Sequence, residues 1–397
     1  MTDAPGPLLY TSDLEGRWDK LEQALAGCPW ARLDGDELRV EPGAVFLFGG
    51  DTVDRGPASL RLVSTLVRAQ AAMPDRVVLL AGNRDINKLR LPRELGATAL
   101  PGFPEAGPER LREILRRTMG APDAFDHRVA ELGGASDEAV VESFLEEVQP
   151  PTGPLFRYLR QARLGFRWRD VLVLHGGPSP ENLGVVPGAD RETTLAGWLS
   201  ALNRFLQRQL DAYEASPTGR DHAALVQYQA PLPGTRANAQ SVVYARPVNA
   251  QGEPQRLAPA VVDFLRREGI RRLVVGHTPT GDCPSVLVYD DITLLMADTS
   301  YSPLEHGARV ELHADHSRIV GAALVDGVQE PIDQHLPLSP PWPIGRWIGG
   351  ELIKAQLSHG WLGFHMAPGF TPVQRRRLLA ELGRDEALEP QTRGPST

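Results

Sequence analysis

The chain has 397 residues, of which 42% are hydrophobic and 23% charged, a balance that excludes a wholly disordered chain and a small disulfide scaffold. The length suits one large elaborated domain or roughly two to three ordinary ones. A net charge of −8 argues against duplex nucleic acid as a partner, because neutralising phosphates takes a basic surface.

The first third alternates strand and helix. Pro7 to Ser12 is a short apolar strand ending in Asp13, and Asp19 to Ala26 has helical spacing closed by Gly27. Gly43 to Phe48 is apolar throughout and too short for a buried helix, so it predicts an interior strand. A helix from Ser59 carries Leu60, Val63 and Val67 along one face, and Arg76 to Ala81 is the next interior strand. Strands separated by helices imply crossovers and a largely parallel sheet. From about 91 to 163 the pattern turns helical, with amphipathic segments at Glu109 to Met119 and Ser136 to Val148, and predicts an inserted helical cap. Asp170 to Leu174 resumes the sheet, Ala196 to Glu214 is a long helix, and Gln227 to Gln255 reads as loops with a hairpin. Pro259 to Glu268 is a helix, followed by strands at Arg271 to Val275, Ser285 to Tyr289, Thr293 to Ala297 and Ala308 to Ala314. The expected organisation is an α/β domain over 1–330, then a proline-rich linker at Pro337 to Pro343 and a helical extension over 331–397 with a disordered polar end.

No stretch approaches the roughly 18 apolar residues of a membrane span, and Met1 to Tyr10 lacks the basic start and apolar run of a signal peptide. A cytoplasmic protein without a membrane partner is the expectation. Cys28 and Cys283 form no metal-type pair and read as buried free thiols. All but three of the 42 basic residues are arginine, a bias that reads as genome composition.

The informative residues each follow an apolar strand: Asp13-Leu14-Glu15, Gly50-Asp51-Thr52-Val53-Asp54-Arg55-Gly56, Gly82-Asn83-Arg84-Asp85, His175-Gly176-Gly177 and Gly276-His277-Thr278. Open α/β sheets place ligands at the carboxyl ends of their strands. Asp, Glu, Asp, Asn, His and His delivered there form a metal-ligand inventory. Two cations about 3.5–4 Å apart, sharing one carboxylate, can clamp a phosphate. Asp51 is the central candidate for the shared ligand, with Asp13 and Glu15 on one side and Asn83, His175 and His277 on the other.

This set resembles the calcineurin-like metallophosphoesterases, nearest the serine/threonine phosphoprotein phosphatases and the diadenosine tetraphosphatases. Asp298-Thr299 also resembles the family's late Asp-Thr-Gly turn. The resemblance implies a four-layer α/β/β/α sandwich, two divalent metal ions, and hydrolysis of phosphoesters by a hydroxide bridging those ions. It also implies that Arg55 grips the phosphate. Two positions depart from the family. Glu15 stands where Asp-x-His is usual, and Arg84 stands where Gly-Asn-His is usual. Glu15 is expected either as a metal ligand or as a carboxylate behind the ligands. As a ligand it makes the first site all-oxygen, which favours Mn²⁺ or Mg²⁺ over Zn²⁺; Mn²⁺ is the first expectation, with Mg²⁺, Fe or Zn²⁺ as alternatives. Arg84 stays charged at any working pH and cannot donate a proton usefully. It is expected either to contact the phosphate or leaving group, or to pair with Asp54. Asp85 is an alternative proton source. Lys88 and Arg90 extend a basic rim or are solvated. His306, His313 and His316 read as surface, and Trp342, Trp347 and Trp361 as packing anchors.

The expected activity is hydrolysis of a phosphoprotein or small phosphomonoester. The alternatives are a nucleotide or dinucleoside polyphosphate, or a catalytically reduced module that binds phosphate-bearing ligands. The catalytic candidates are Asp54, Arg55 and Arg84, and the metal candidates are Asp13, Glu15, Asp51, Asn83, His175 and His277.

Overall fold

A computed structural model describes residues 6–289 and 291–382. The expectations for residues 1–5 and for the polar end beyond 382 fall outside the described residues. Two sheets form the centre. The first runs Val328–Pro337, His316–Val325, Arg309–Leu312, Leu8–Thr11, Val45–Phe48 and Val77–Leu79 from edge to edge. The second runs Gly165–Trp168, Val171–Leu174, Arg272–Val275, Ile292–Met296 and Ser285–Tyr289. Leu8–Thr11, Val45–Phe48 and Val77–Leu79 are parallel neighbours, as are Val171–Leu174, Arg272–Val275 and Ile292–Met296. Each parallel set therefore opens its carboxyl ends toward one side.

Strand period sorts these apolar runs into two cores. Leu8, Tyr10, Leu47 and Val78 of the first sheet join Val171, Val173, Val274 and Leu295 of the second in one buried cluster. The alternate residues, Leu9, Phe46, Phe48 and Leu79 with Leu172, Leu174, Leu273 and Met296, belong to a cluster that includes the helices. Leu21 and Leu62 supply it from Trp18–Leu25 and Ser59–Ala72, and Trp198 and Phe264 supply it from Leu195–Ala215 and Pro259–Arg267. Both faces of each run are buried, which is why these strands lack polar alternation. This is the expected α/β/β/α sandwich. The insertion is helical, from Leu91–Gly96 to Pro154–Gln161, and Leu111, Ile114, Phe125 and Phe144 give it a core of its own. It is tied back by Tyr158, whose hydroxyl donates to the Leu80 carbonyl at 2.6 Å.

The expected helical extension is strand. Trp347–Ile348, Glu351–Gln356, Trp361–Ala367 and Thr371–Arg377 form a four-stranded antiparallel sheet. The arginine run in Thr371–Arg377 alternates between the strand's two faces. Arg375 and Arg377 lie two apart on one strand face and both pair with Glu351. The boundary at 330 is also displaced, since it falls inside the hairpin formed by His316–Val325 and Val328–Pro337. Asp326 and Gly327 turn that hairpin with positive φ of 51° and 79°, the Asp-Gly signature of a two-residue loop. Pro331 is tolerated because its strand is an edge. The region 227–255 contains no hairpin strands among the described residues, only a bridge between Val248 and Pro254. Cys283 is buried and Cys28 only partly so.

The C-terminal sheet is joined to the sandwich by polar contacts. Gln374 Nε2 donates to Asp282 at 2.6 Å, and the buried Lys354 ammonium donates to the carbonyls of Thr280 and Cys283. Replacing Lys354 by Met leaves those carbonyls without donors, and such buried unsatisfied groups cost about 1–3 kcal/mol. Lys354→Met should lower unfolding free energy by that order in a denaturant titration. An unchanged midpoint would mean that the sheet is not fastened through this lysine.

Candidate metal centre

The motif residues meet where the parallel strands end. The backbone there is unusual. Asp13, Glu15, Asp51, Asp54 and His277 all have positive φ, between 50° and 110°, a region non-glycine residues rarely occupy. Such strain persists only where surrounding bonds fix it. Asp13 N donates to Gly50 O at 2.9 Å, Glu15 N to Asp51 O at 3.0 Å, and Arg55 N to Glu15 O at 2.6 Å. The first two strand ends are thus laced together loop to loop.

Asp85 ties in the third. Its fully buried carboxylate accepts from the backbone N–H of Asp51 (2.9 Å), Thr52 (2.8 Å) and Gly82 (2.8 Å), and from the Thr52 hydroxyl (2.5 Å). Gly82 is required for this approach, because a Cβ there would lie 2.1 Å from Asp51 Oδ1. With its oxygens so occupied, Asp85 is a positioning residue and not the alternative proton source.

Asp51, His175 and His277 bring ligand atoms within 4.8 Å of one another, all buried. His175 Nδ1 is 2.8 Å from the Gly49 carbonyl, so that nitrogen carries a proton and Nε2 faces Asp51 Oδ1 at 3.3 Å, a gap that a proton or a cation can fill. Asn83 Oδ1 faces His175 Nε2 at 3.2 Å, and the same amide position lies 2.7 Å from His277 Nδ1 and 3.3 Å from Asp51 Oδ2. Inverting the amide would turn these contacts into hydrogen bonds. A cation at their centre satisfies every lone pair at once with the oxygen inward. The donors therefore fit a divalent metal. The local field agrees: burial alone would disfavour a charged His175, yet Asp51 and its hydrogen bond push its pKa up to about 10. Asp13 lies beside this group, with Oδ1 accepting from His277 N at 3.0 Å and Oδ2 buried without a partner.

Glu15 lies apart from that group. Its Oε1 is 3.0 Å from Arg84 Nε and its Oε2 is 2.7 Å from Arg55 Nε. Burial raises its pKa to about 8 against the pull of both guanidinium groups. Arg84 is only 11% exposed in its side chain, and it also reaches Asp54 Oδ2 at 3.3 Å and Asp51 Oδ2 at 3.8 Å. Asp54 pairs in addition with Lys88, at 2.6 Å. Lys88 is fully buried, neither rim nor solvated surface.

An open cleft exposes this centre, lined by Glu15, Asp51, Asn83, Arg84, Arg246, His277, Asp298 and Tyr301. Arg55 stacks on the Tyr301 ring at 3.8 Å and stands behind it at the edge. Arg246, Lys88 and Tyr301 belong to no motif in the sequence. The one signal for Arg246 is Gly176: a Cβ there would lie 2.8 Å from the Val242 and Ala245 carbonyls. The glycine after His175 admits the segment that carries Arg246 to the cleft. His313 and His316 stack at 4.3 Å between ring centroids, away from this cleft.

Residues 6–281 match the sequence profile of the calcineurin-like phosphoesterases. The chain belongs to that family. Among solved structures it is similar to a cold-active protein-tyrosine phosphatase from a psychrophilic Shewanella species, at 16% identity and a TM-score of 0.46, covering 82% of this chain and 80% of that one. A protein serine/threonine phosphatase from Saccharomyces cerevisiae matches at 15% identity and a TM-score of 0.41, covering 78% and 73%. No curated protein matches the chain. Membership places the protein in a metal-dependent phosphoesterase family, and no described helix is long and apolar enough to cross a membrane.

Because Asp85 orients Asp51 without touching the centre, Asp85→Ala should weaken Mn²⁺ binding roughly 10–100-fold, the usual cost of losing a ligand's supporting partner. Calorimetric titration of the chelator-stripped protein measures this, with a melting curve as the folding control. Unchanged affinity in a folded variant would contradict the positioning role.

Proposed function

We propose that this protein is a metal-dependent phosphoesterase that acts on phosphate groups with good leaving groups, aryl esters and phosphoanhydrides above simple alkyl esters. The observation that carries the reading is the convergence of Asp51, Asn83, His175 and His277, of which Asp51, Asn83 and His277 line a cleft that also presents Arg84 and Arg246. Bound among those four residues, a divalent cation supplies Lewis-acid charge to a phosphoryl oxygen and acidifies water. Two imidazoles and two oxygens suit Zn²⁺, Fe²⁺ and Mn²⁺ alike, so the preference for Mn²⁺, which depends on Glu15 as a ligand, loses its footing.

The arginines do the rest. Arg84 is held between Glu15 and Asp54, so its charge is already oriented before substrate arrives. Arg246 Nε is buried and has no hydrogen-bond partner, which leaves it free to donate to a phosphoryl oxygen. Arg55 spans Glu15 and Tyr301, two residues that line the cleft. Arg84, standing where the family usually has a histidine, cannot protonate a leaving group. Positioned general acids contribute typically about 10²–10⁴-fold, and an alkoxide leaving group needs that proton most. Departing aryl oxides and phosphates are weakly basic, and the fixed charge of Arg84 stabilises them directly.

The test is kcat/KM on aryl, alkyl and anhydride phosphates for the native protein and for Arg84→His. The native protein should favour aryl and anhydride substrates, and the histidine variant should gain most on alkyl esters. Rapid turnover of phosphoserine peptides by the native protein, with further loss in Arg84→His, would overturn this reading.

A further inference from the structure

Resting on the reading above, we infer that the centre holds one divalent cation, and that the Arg84 guanidinium occupies the place in which a second would sit. A second cation beside Asp51 would need Glu15 and Asp51 to turn their oxygens toward a common point. The point between them is filled by Arg84, whose Nε is 3.0 Å from Glu15 Oε1 and 3.8 Å from Asp51 Oδ2. The other Glu15 oxygen is directed at Arg55 Nε, 2.7 Å away. Each oxygen is thus ion-paired to a guanidinium.

Charge leads to the same result. The Glu15, Asp51 and Asp54 carboxylates are met by Arg55, Arg84 and Lys88, all within 3.8 Å. Three cationic groups face at most three negative ones, so this side of the centre carries no surplus negative charge before any metal arrives. A dication added there would meet two guanidinium groups and an ammonium in place of a carboxylate cage, and like charges at such distances in a buried site repel strongly. On the other side, Asn83 and His277 bring neutral donors to Asp51, His175 can exchange its Nε2 proton for a metal, and Asp13 keeps an unpartnered oxygen nearby. One cation is favoured there and none on the Arg84 side. The two departures from the family motif are thus one change: the glutamate and the arginine are partners, and a side-chain cation that no chelator can remove stands in for a metal.

Guanidinium cannot ligate or acidify a water as a metal does, because it has no vacant orbital and no usable proton. It can hold a phosphoryl oxygen through directed N–H groups. On this account Arg84 serves as a phosphate-binding charge and the single cation carries all Lewis-acid chemistry.

The experiment is metal stoichiometry on the full chain. The protein is stripped with a chelator, saturated with Mn²⁺, dialysed to a fixed free concentration and analysed for metal, with thermal melting to confirm folding. The native chain and Glu15→Gln should each hold one equivalent, and Arg84→Met should acquire a second, weaker one where the guanidinium stood. Electron paramagnetic resonance should show an isolated Mn²⁺ in the native protein and spin-coupled Mn²⁺ in Arg84→Met. Two equivalents in the native chain, falling to one in Glu15→Gln, would overturn the inference and leave the phosphoesterase reading standing. A folded Arg84→Met that stays at one equivalent would overturn it as well. No bound metal in the native chain would overturn both.

Discussion

The buried carboxylate of Asp85 is the constraint on which the site depends. It accepts three backbone N–H groups from two different strand ends, Asp51 and Thr52 after Val45–Phe48 and Gly82 after Val77–Leu79. A carboxylate so bonded fixes the relative height of those ends. It also sustains the left-handed conformation of Asp51, which turns that side chain toward His175 and His277 on the opposite sheet. Neighbouring loops repeat the device, with Asp13 capturing the His277 amide. The sandwich supplies two parallel sheets whose carboxyl ends face one another, and buried aspartates convert that proximity into convergent ligand atoms.

A second layer of buried charge governs what the centre can do. Asp54, with Arg84 and Lys88 on it, keeps the guanidinium from swinging into solvent. Buried ion pairs contribute little net stability, because desolvation offsets attraction. Their value here is orientation. A flexible arginine would lose rotamer entropy on gripping a phosphate, whereas one already pinned to Glu15 and Asp54 loses little. The cleft is preorganised for an anion even though its floor is rich in carboxylates.

Much of this is written plainly in the sequence. Interior strands announce themselves as short apolar runs such as Val45–Phe48, and each motif residue stands directly after one, so layers and candidate ligands are legible without coordinates. The pairing of Glu15 with Arg84 is not, because 69 positions separate them and only the fold sets their distance. The C-terminal sheet escapes for another reason: Glu351–Gln356 is buried at five of six positions and shows no alternation to mark it as a strand. The lysines are the sharpest case. Composition treats their scarcity as bias, yet Lys20, Lys88 and Lys354 are all buried and each secures a loop of the site. Lys20 binds the carbonyls of Thr299 and Ser302, Lys88 binds Asp54, and Lys354 binds those of Thr280 and Cys283. A compact ammonium with three donors fits a pocket of carbonyls where a planar guanidinium does not.

The central claim is that Asp51 and the residues converging on it form a working metal centre. The most direct measurement is phosphate release from an aryl phosphate by chelator-stripped protein, before and after Mn²⁺ is restored, in the native chain and in Asp51→Asn. Turnover should be absent without metal, recover in the native chain when metal returns, and not recover in a folded Asp51→Asn. Chelator-resistant turnover, or an Asp51→Asn variant as active as the native protein, would contradict it.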